Sequence, residues 1–177
     1  DQCGKTIVAT DESELDRLDI LYQRGVDNGV QGLEIIDADR LKEIEPYVKG
    51  VRALWAPQTG IIDYVKVASA YAVQFQQNGG EIYTGSAVKA INVSNNGVNV
   101  TTSKGVISAK HFINCAGLYA DRIAEMAGEL SDLRIIPFRG EYYTLRPESQ
   151  YMVKGLIYPV PDPAFPFLGV HFTRNIH

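Results

Sequence analysis

Three segments in the last quarter of the chain carry the residue types that acid–base chemistry and anion binding require. Ile135-Ile-Pro-Phe-Arg-Gly-Glu-Tyr-Tyr143 sets Arg139 beside a glycine in an apolar strand pattern. Gly155-Leu-Ile-Tyr-Pro-Val-Pro-Asp-Pro163 places Tyr158 in a second strand pattern. Phe167-Leu-Gly-Val-His-Phe-Thr-Arg174 places His171 and Arg174 in a third. Buried cations and imidazoles are costly unless they meet an anion or a hydrogen-bonding partner. Three neighbouring strands with such groups imply a pocket for a small anionic substrate. Arg139 offers a planar guanidinium that grips a carboxylate through two parallel hydrogen bonds; the alternative is an ion pair with Glu141. An imidazole, which titrates near ~6.5 when unperturbed, suits proton transfer at neutral pH; the alternative for His171 is a hydrogen-bonded, half-buried strand histidine. Tyr158 is a hydrogen-bond donor to substrate or a core filler. Tyr142 and Tyr143 point to opposite faces of one strand, so one of them faces a pocket; we take Tyr143. Arg174 assists a second carboxylate or is simply exposed.

These residues need elements to hold them. Thr10 or Asp11 caps a helix, with Glu14 at capping-box distance and Leu15, Leu18, Leu21 and Tyr22 as its apolar stripe. Asp37 caps a second, which Pro46 stops. Asp63 caps a third, with Tyr64, Ala68, Tyr71, Ala72 and Phe75 as its stripe and Asn78-Gly79-Gly80 as its stop. Lys5–Ala9, Val51–Ala56, Glu81–Tyr83 and Ala87–Ile91 read as strands. Val98 to Ile107 reads as an antiparallel ribbon, and His111–Cys115 as an apolar run before Ala116-Gly117 and a fourth helix. From Arg134 the pattern is all strand: 134–145, 153–160 and 167–173. The spacing predicts an antiparallel sheet shared with Lys5–Ala9 and Val51–Ala56. The expected class is mixed α+β and α/β: residues 1–63 and 131–177 form an antiparallel-sheet substrate domain, and 64–130 a partial nucleotide-binding α/β domain.

Composition narrows the function classes. A net charge of −4, with no basic run interleaved with aromatics, speaks against nucleic acid. Cys3 and Cys115 make no disulfide framework, and no apolar stretch approaches the ~20 residues that span a bilayer. The expectation is a cytoplasmic protein. His111 and His177 have no companion ligands at metal spacing, so no metal site is expected. Among sixteen glycines, no two are separated by a single residue, so the Gly-x-Gly turn that brings backbone amides to a pyrophosphate is absent. Both ends look like cuts through a longer chain. Such cuts leave strand edges around residues 79–128 open, which predicts self-association or local disorder there.

The Pro-Phe-Arg-Gly-Glu-Tyr run at 137–142, the Tyr-Pro-Val-Pro-Asp-Pro run at 158–163 and Gly169-Val-His-Phe-Thr173 closely resemble the substrate-domain core of the L-2-hydroxyglutarate oxidases and dehydrogenases. These are flavoenzymes of the D-amino-acid-oxidase (DAO) superfamily. Cys3-Gly-Lys-Thr-Ile-Val-Ala-Thr10, Ala56-Pro-Gln-Thr-Gly-Ile-Ile-Asp63 and Asn114-Cys-Ala-Gly-Leu-Tyr-Ala-Asp121 extend the likeness along the chain. The resemblance implies the central part of an FAD-dependent enzyme that oxidises a dicarboxylic 2-hydroxy acid, with oxygen or a quinone as electron acceptor. The parent enzyme would be cytoplasmic or peripheral at the inner membrane. His171 would take the C2 hydroxyl proton, Arg139 would clamp a substrate carboxylate, and Gly60 with Thr59 would lie near flavin or substrate. Val88 would contact the adenine through its backbone, and Cys115, Ala116 and Gly117 would face the FAD phosphates. The family's glycine-rich first strand and its later FAD segment are not in this sequence. The alternatives are another DAO-type oxidase, acting on an amino acid or glycerol phosphate, and a non-catalytic domain without FAD.

Overall fold

Helix starts are settled locally, by side chains that satisfy the orphan amides of a first turn. In the computed structural model, which describes residues 1–129, 132–164 and 169–175, Asp11 accepts the Ser13 N–H at 2.8 Å and Glu14 reaches back to the Thr10 N–H at 2.6 Å. Helix α1 follows, Leu15–Asp27. Asp37 accepts the Arg40 N–H at 2.8 Å and opens α2, Ala38–Ile44. Asp63 accepts from Val65 and Lys66 and opens α3, Tyr64–Gln77. The fourth helix, α4, is Ala120–Met126. The strands are β1 Lys5–Ala9, β2 Glu34–Asp37, β3 Arg52–Ala56, β4 Val88–Ser94, β5 Gly97–Thr102, β6 Gly105–Ala109 and β7 Leu156–Pro159. The class is mixed α/β. The chain divides into two compact units, residues 1–70 with 144–177, and residues 71–143.

The first unit is a four-stranded sheet in the order β2-β3-β1-β7. β3 runs antiparallel to β1 and β2, with Thr6 opposite Trp55 and Ile35 opposite Leu54. β7 runs parallel to β1, with Ile7 level with Tyr158. The sheet is therefore mixed, not the antiparallel sheet expected from sequence. One face buries Val8, Ile36, Ala53 and Ile157 under Leu41 of α2. The other buries Ala9, Leu54 and Val160 under Leu18 of α1.

The join between β1 and β7 contains a buried charge. Glu45, at the end of α2, is 1% exposed, and its carboxylate accepts the N–H groups of Lys154 at 3.0 Å and Gly155 at 2.6 Å. A Cβ on Gly155 would lie 2.7 Å from the Cys3 carbonyl oxygen, so no side chain fits between β1's entry and Glu45. Leu156 then donates to the Gly4 carbonyl at 3.0 Å, and the Thr6 hydroxyl to the Leu156 carbonyl at 3.4 Å.

The second unit holds the antiparallel sheet β4-β5-β6. Ile91, Val98 and Val100 form its small core, against Ile123 and Ala127 of the α4 region. Asp121 ties the chain beyond α4 by accepting the Ile135 N–H at 3.1 Å. That bond, followed by the Arg122 N–H, holds its carboxyl below the usual carboxylate range.

Several expected strands are not strands. Residues 81–83, 111–115 and 134–145 are irregular, and of 153–160 the ladder takes Leu156–Pro159. Of the expected strand 167–173, Phe172 alone makes a bridge, to Ile157; Phe167 and Leu168 lie outside the described residues. The reason is shared: strand propensity is realised only through a neighbour, and these segments have no paired strand among the described residues. Their apolar side chains stay open, Ile113 at 82% and Tyr143 at 94%. Conversely, Glu34–Asp37 is a strand because β3 offers it a ladder.

Glu45 gives a direct test. Glu45→Ala leaves the buried Gly155 amide and the part-buried Lys154 amide without their acceptor, which costs about 1–3 kcal/mol. Urea unfolding should show that loss as a lower midpoint with unchanged slope.

Candidate functional site

Cross-strand geometry brings two of the expected residues together. Ile157 and Phe172 exchange backbone hydrogen bonds at 3.1 and 2.9 Å. In that antiparallel register Tyr158 lies opposite His171. Their rings stack, with centroids 4.5 Å apart and planes 26° from parallel. Thr173, two residues on, returns to the same face, and its hydroxyl lies 3.4 Å from the Tyr158 hydroxyl. From the other side of β7, Lys5 of β1 sets its Nζ 3.9 Å from the Tyr158 ring centroid. Sequence reasoning missed Lys5 and Thr173; the available signal was strand alternation, which puts Lys5 with Ile7 and Thr173 with His171.

The imidazole has a defined tautomer. His171 Nδ1 lies 2.9 Å from the Gly169 carbonyl oxygen. A carbonyl oxygen only accepts, so Nδ1 carries the hydrogen and Nε2 presents its lone pair. The half-buried His171 thus has one nitrogen fixed and one available as a base. No carboxylate takes part in orienting it among the described residues.

Gly60 belongs to the same unit. Its neighbour Ile61 donates to the Asp1 carbonyl at 2.8 Å, and a Cβ on Gly60 would lie 2.5 Å from that oxygen. Close backbone approach explains this glycine. Arg174 pairs with the Asp1 carboxylate at 3.4 Å.

The remaining expected residues lie in the second unit. Arg139 is exposed and pairs with Glu141 at 3.5 Å, the alternative weighed from its sequence. Tyr143 is exposed. Val88 packs its side chain toward the Ile91–Val98–Val100 core, and the ladder slips between Val88 and Ala90. Such an irregularity leaves backbone groups outside the pairing. Asn114 organises the turn that follows: it accepts the Ala116 N–H at 3.1 Å and donates to the Ala120 carbonyl at 2.7 Å. Within that turn Cys115 is exposed, and Gly117 has φ 55° with nothing within 4 Å of where a Cβ would stand. A positive φ favours glycine there. A separate cleft of about 470 Å³, lined in part by Ser94, Lys110, His111, Asn114 and Ala127, includes none of Val88 and 115–117. Among the described residues, no group of His, Cys, Asp and Glu has metal-holding geometry.

Comparison with known proteins places these observations in a family. The model for "DAO: FAD dependent oxidoreductase" matches residues 1–177. The chain is 51% identical over 172 residues to the L-2-hydroxyglutarate dehydrogenase of Indibacter alkaliphilus, covering 97% of this chain and 43% of the relative. It is 46% identical over 187 residues to the human mitochondrial L-2-hydroxyglutarate dehydrogenase, covering 99% and 40%. The chain thus spans less than half the length of these curated relatives. Among solved structures, L-proline dehydrogenase from P. horikoshii superposes with TM-score 0.74 at 21% identity, over 90% of this chain and 43% of that one. Glycine oxidase from Geobacillus kaustophilus gives TM-score 0.64 at 23% identity, over 72% and 35%. These likenesses show the fold.

The tautomer is measurable. In long-range ¹H–¹⁵N spectra above the imidazole's titration, His171 should show a protonated Nδ1 and a bare Nε2. The reverse pattern would remove Nε2 as a base.

Proposed function

This chain belongs to the DAO family of FAD-dependent oxidoreductases, and we propose that it forms the substrate-handling part of an enzyme oxidising L-2-hydroxyglutarate to 2-oxoglutarate. The observation that carries the reading is the stacked Tyr158–His171 pair, lying in a chain 51% identical to a protein of that name over 97% of its length. The substrate loses its C2 hydrogen as hydride and its hydroxyl hydrogen as a proton. FAD, when bound, supplies the two-electron acceptor. His171 Nε2 takes the proton, and the Nδ1–Gly169 bond holds the ring still while it does so. Tyr158 fixes the imidazole plane by stacking and keeps its hydroxyl at the same face. In this reading Arg139 clamps a substrate carboxylate with Tyr143 beside it, Arg174 assists the second carboxylate, and Gly60 keeps the backbone low near the flavin. Val88 would hold the adenine through its backbone, and Cys115, Ala116 and Gly117 the phosphates. The ladder slip at Val88 and the open turn at Gly117 fit those roles.

A second reading rests on glycine spacing: without a Gly-x-Gly turn, this chain folds as a domain that binds no FAD of its own. Among the described residues, no helix is long and apolar enough to cross a membrane. The outer strand β6 is exposed along its length and offers an edge for self-association.

The test uses anaerobic flavin reduction. L-2-hydroxyglutarate should bleach the flavin of the FAD-loaded full-length parent, and His171→Gln in that parent should slow the step about 10²–10⁴-fold. Arg139→Lys should raise KM by about tenfold or more. Wild-type rates in both variants would remove these roles, and a protein that retains no FAD would favour the second reading.

A further inference from the structure

We propose that Lys5 is a substrate-binding residue of the same site, a cation that holds, with Arg174 assisting, the carboxylate remote from the C2 hydroxyl; this rests on the assignment of the site to a dicarboxylic 2-hydroxy acid. Lys5 opens β1 and shares a sheet face with Ile7, which is level with Tyr158. Helix α1 covers the Ile7–Ala9 part of this face and leaves the Lys5 end to Tyr158, His171 and Thr173. β7 has β1 on one side and the 171–173 segment on the other. Ammonium and imidazole therefore approach the Tyr158 ring from opposite strands, one ring apart.

Among the described residues, the charge on Lys5 meets no anion. It is half-buried, and among the described residues no carboxylate lies within ion-pair distance of it. Arg174 differs, since Asp1 already occupies its guanidinium. A cation over an aromatic face recovers about 0.5–2 kcal/mol and leaves the N–H donors of the half-buried ammonium to solvent or a ligand. A carboxylate supplies acceptors and cancels the charge. A five-carbon diacid lying over the exposed edge of Tyr158 puts its hydroxyl at His171 Nε2 and its far carboxylate at Lys5 Nζ. A monocarboxylic hydroxy acid leaves the ammonium as it is. Lys5 is thereby a residue that selects for the second carboxylate.

The experiment compares two unreactive ligands, glutarate and butyrate, by the change each makes in the flavin absorption of the FAD-loaded full-length parent. Lys5→Met should weaken glutarate about tenfold or more, as expected for a lost charge-assisted hydrogen bond, and butyrate less than threefold. Lys5→Arg should restore most of the glutarate affinity. In turnover, Lys5→Met should raise KM for L-2-hydroxyglutarate while kcat stays within about threefold. Equal weakening of both ligands would show a stem that merely shapes the Tyr158 pocket, and unchanged glutarate binding would show a bystander; either overturns the proposal. Should Lys5→Met fail to fold, Lys5→Gln carries the same comparison. A wild-type protein whose flavin is not reduced by L-2-hydroxyglutarate instead sinks the functional reading itself.

Discussion

Parallel pairing between β1 and β7 joins residues 151 apart in the chain, and the Tyr158 cluster is assembled by it. Move β7 by one residue and Tyr158 turns to the face covered by α2, because side chains alternate with period two. The register is held from outside the ladder. Glu45 receives two consecutive amides just before β7, and Gly155 lets that bend pass close to the Cys3 carbonyl. A buried carboxylate is tolerated because both its oxygens are hydrogen-bonded, by donors that need an acceptor in any case.

Chemistry follows from this placement in a short chain of causes. β7 carries Tyr158, the Ile157–Phe172 bridge sets His171 opposite it, and the Gly169 carbonyl decides which imidazole nitrogen stays bare. The imidazole is thus oriented by a backbone carbonyl and an aromatic ring, and no carboxylate takes part among the described residues. Under the proposed function this arrangement suits an anionic substrate, since an added negative charge would repel it.

What the sequence makes legible is local. The caps at Asp11, Asp37 and Asp63 act over two or three residues: Asp37 and Asp63 open α2 and α3, and Asp11 caps the 3-10 turn Glu12–Glu14 that leads into α1. The β4-β5-β6 ribbon was likewise readable from Val98, Val100 and the Gly105 turn. Pairing between distant segments was not. β2 is a four-residue run that becomes a strand through Leu54 and Ala53, and β7 takes a parallel partner that its own residues do not announce. Residues 134–145 show the opposite error: Tyr142 and Tyr143 favour strands, yet no ladder receives them among the described residues. The same limit applies to the site. His171 and Tyr158 were identifiable by type, whereas Lys5 became relevant through a neighbour 153 positions away that strand order supplies.

The separation of β1 from β7 also has a consequence for biosynthesis. At about 5–20 residues per second, a ribosome needs on the order of ten seconds or more to deliver Leu156 after Lys5 has emerged. During that interval β3 can already cover one side of β1, while the other displays unpaired amides and carbonyls. The nascent chain therefore carries a half-finished sheet whose vacant flank is open to misannealing until its last strand arrives. Translation speed and chaperone protection over this window, more than final stability, would then govern yield.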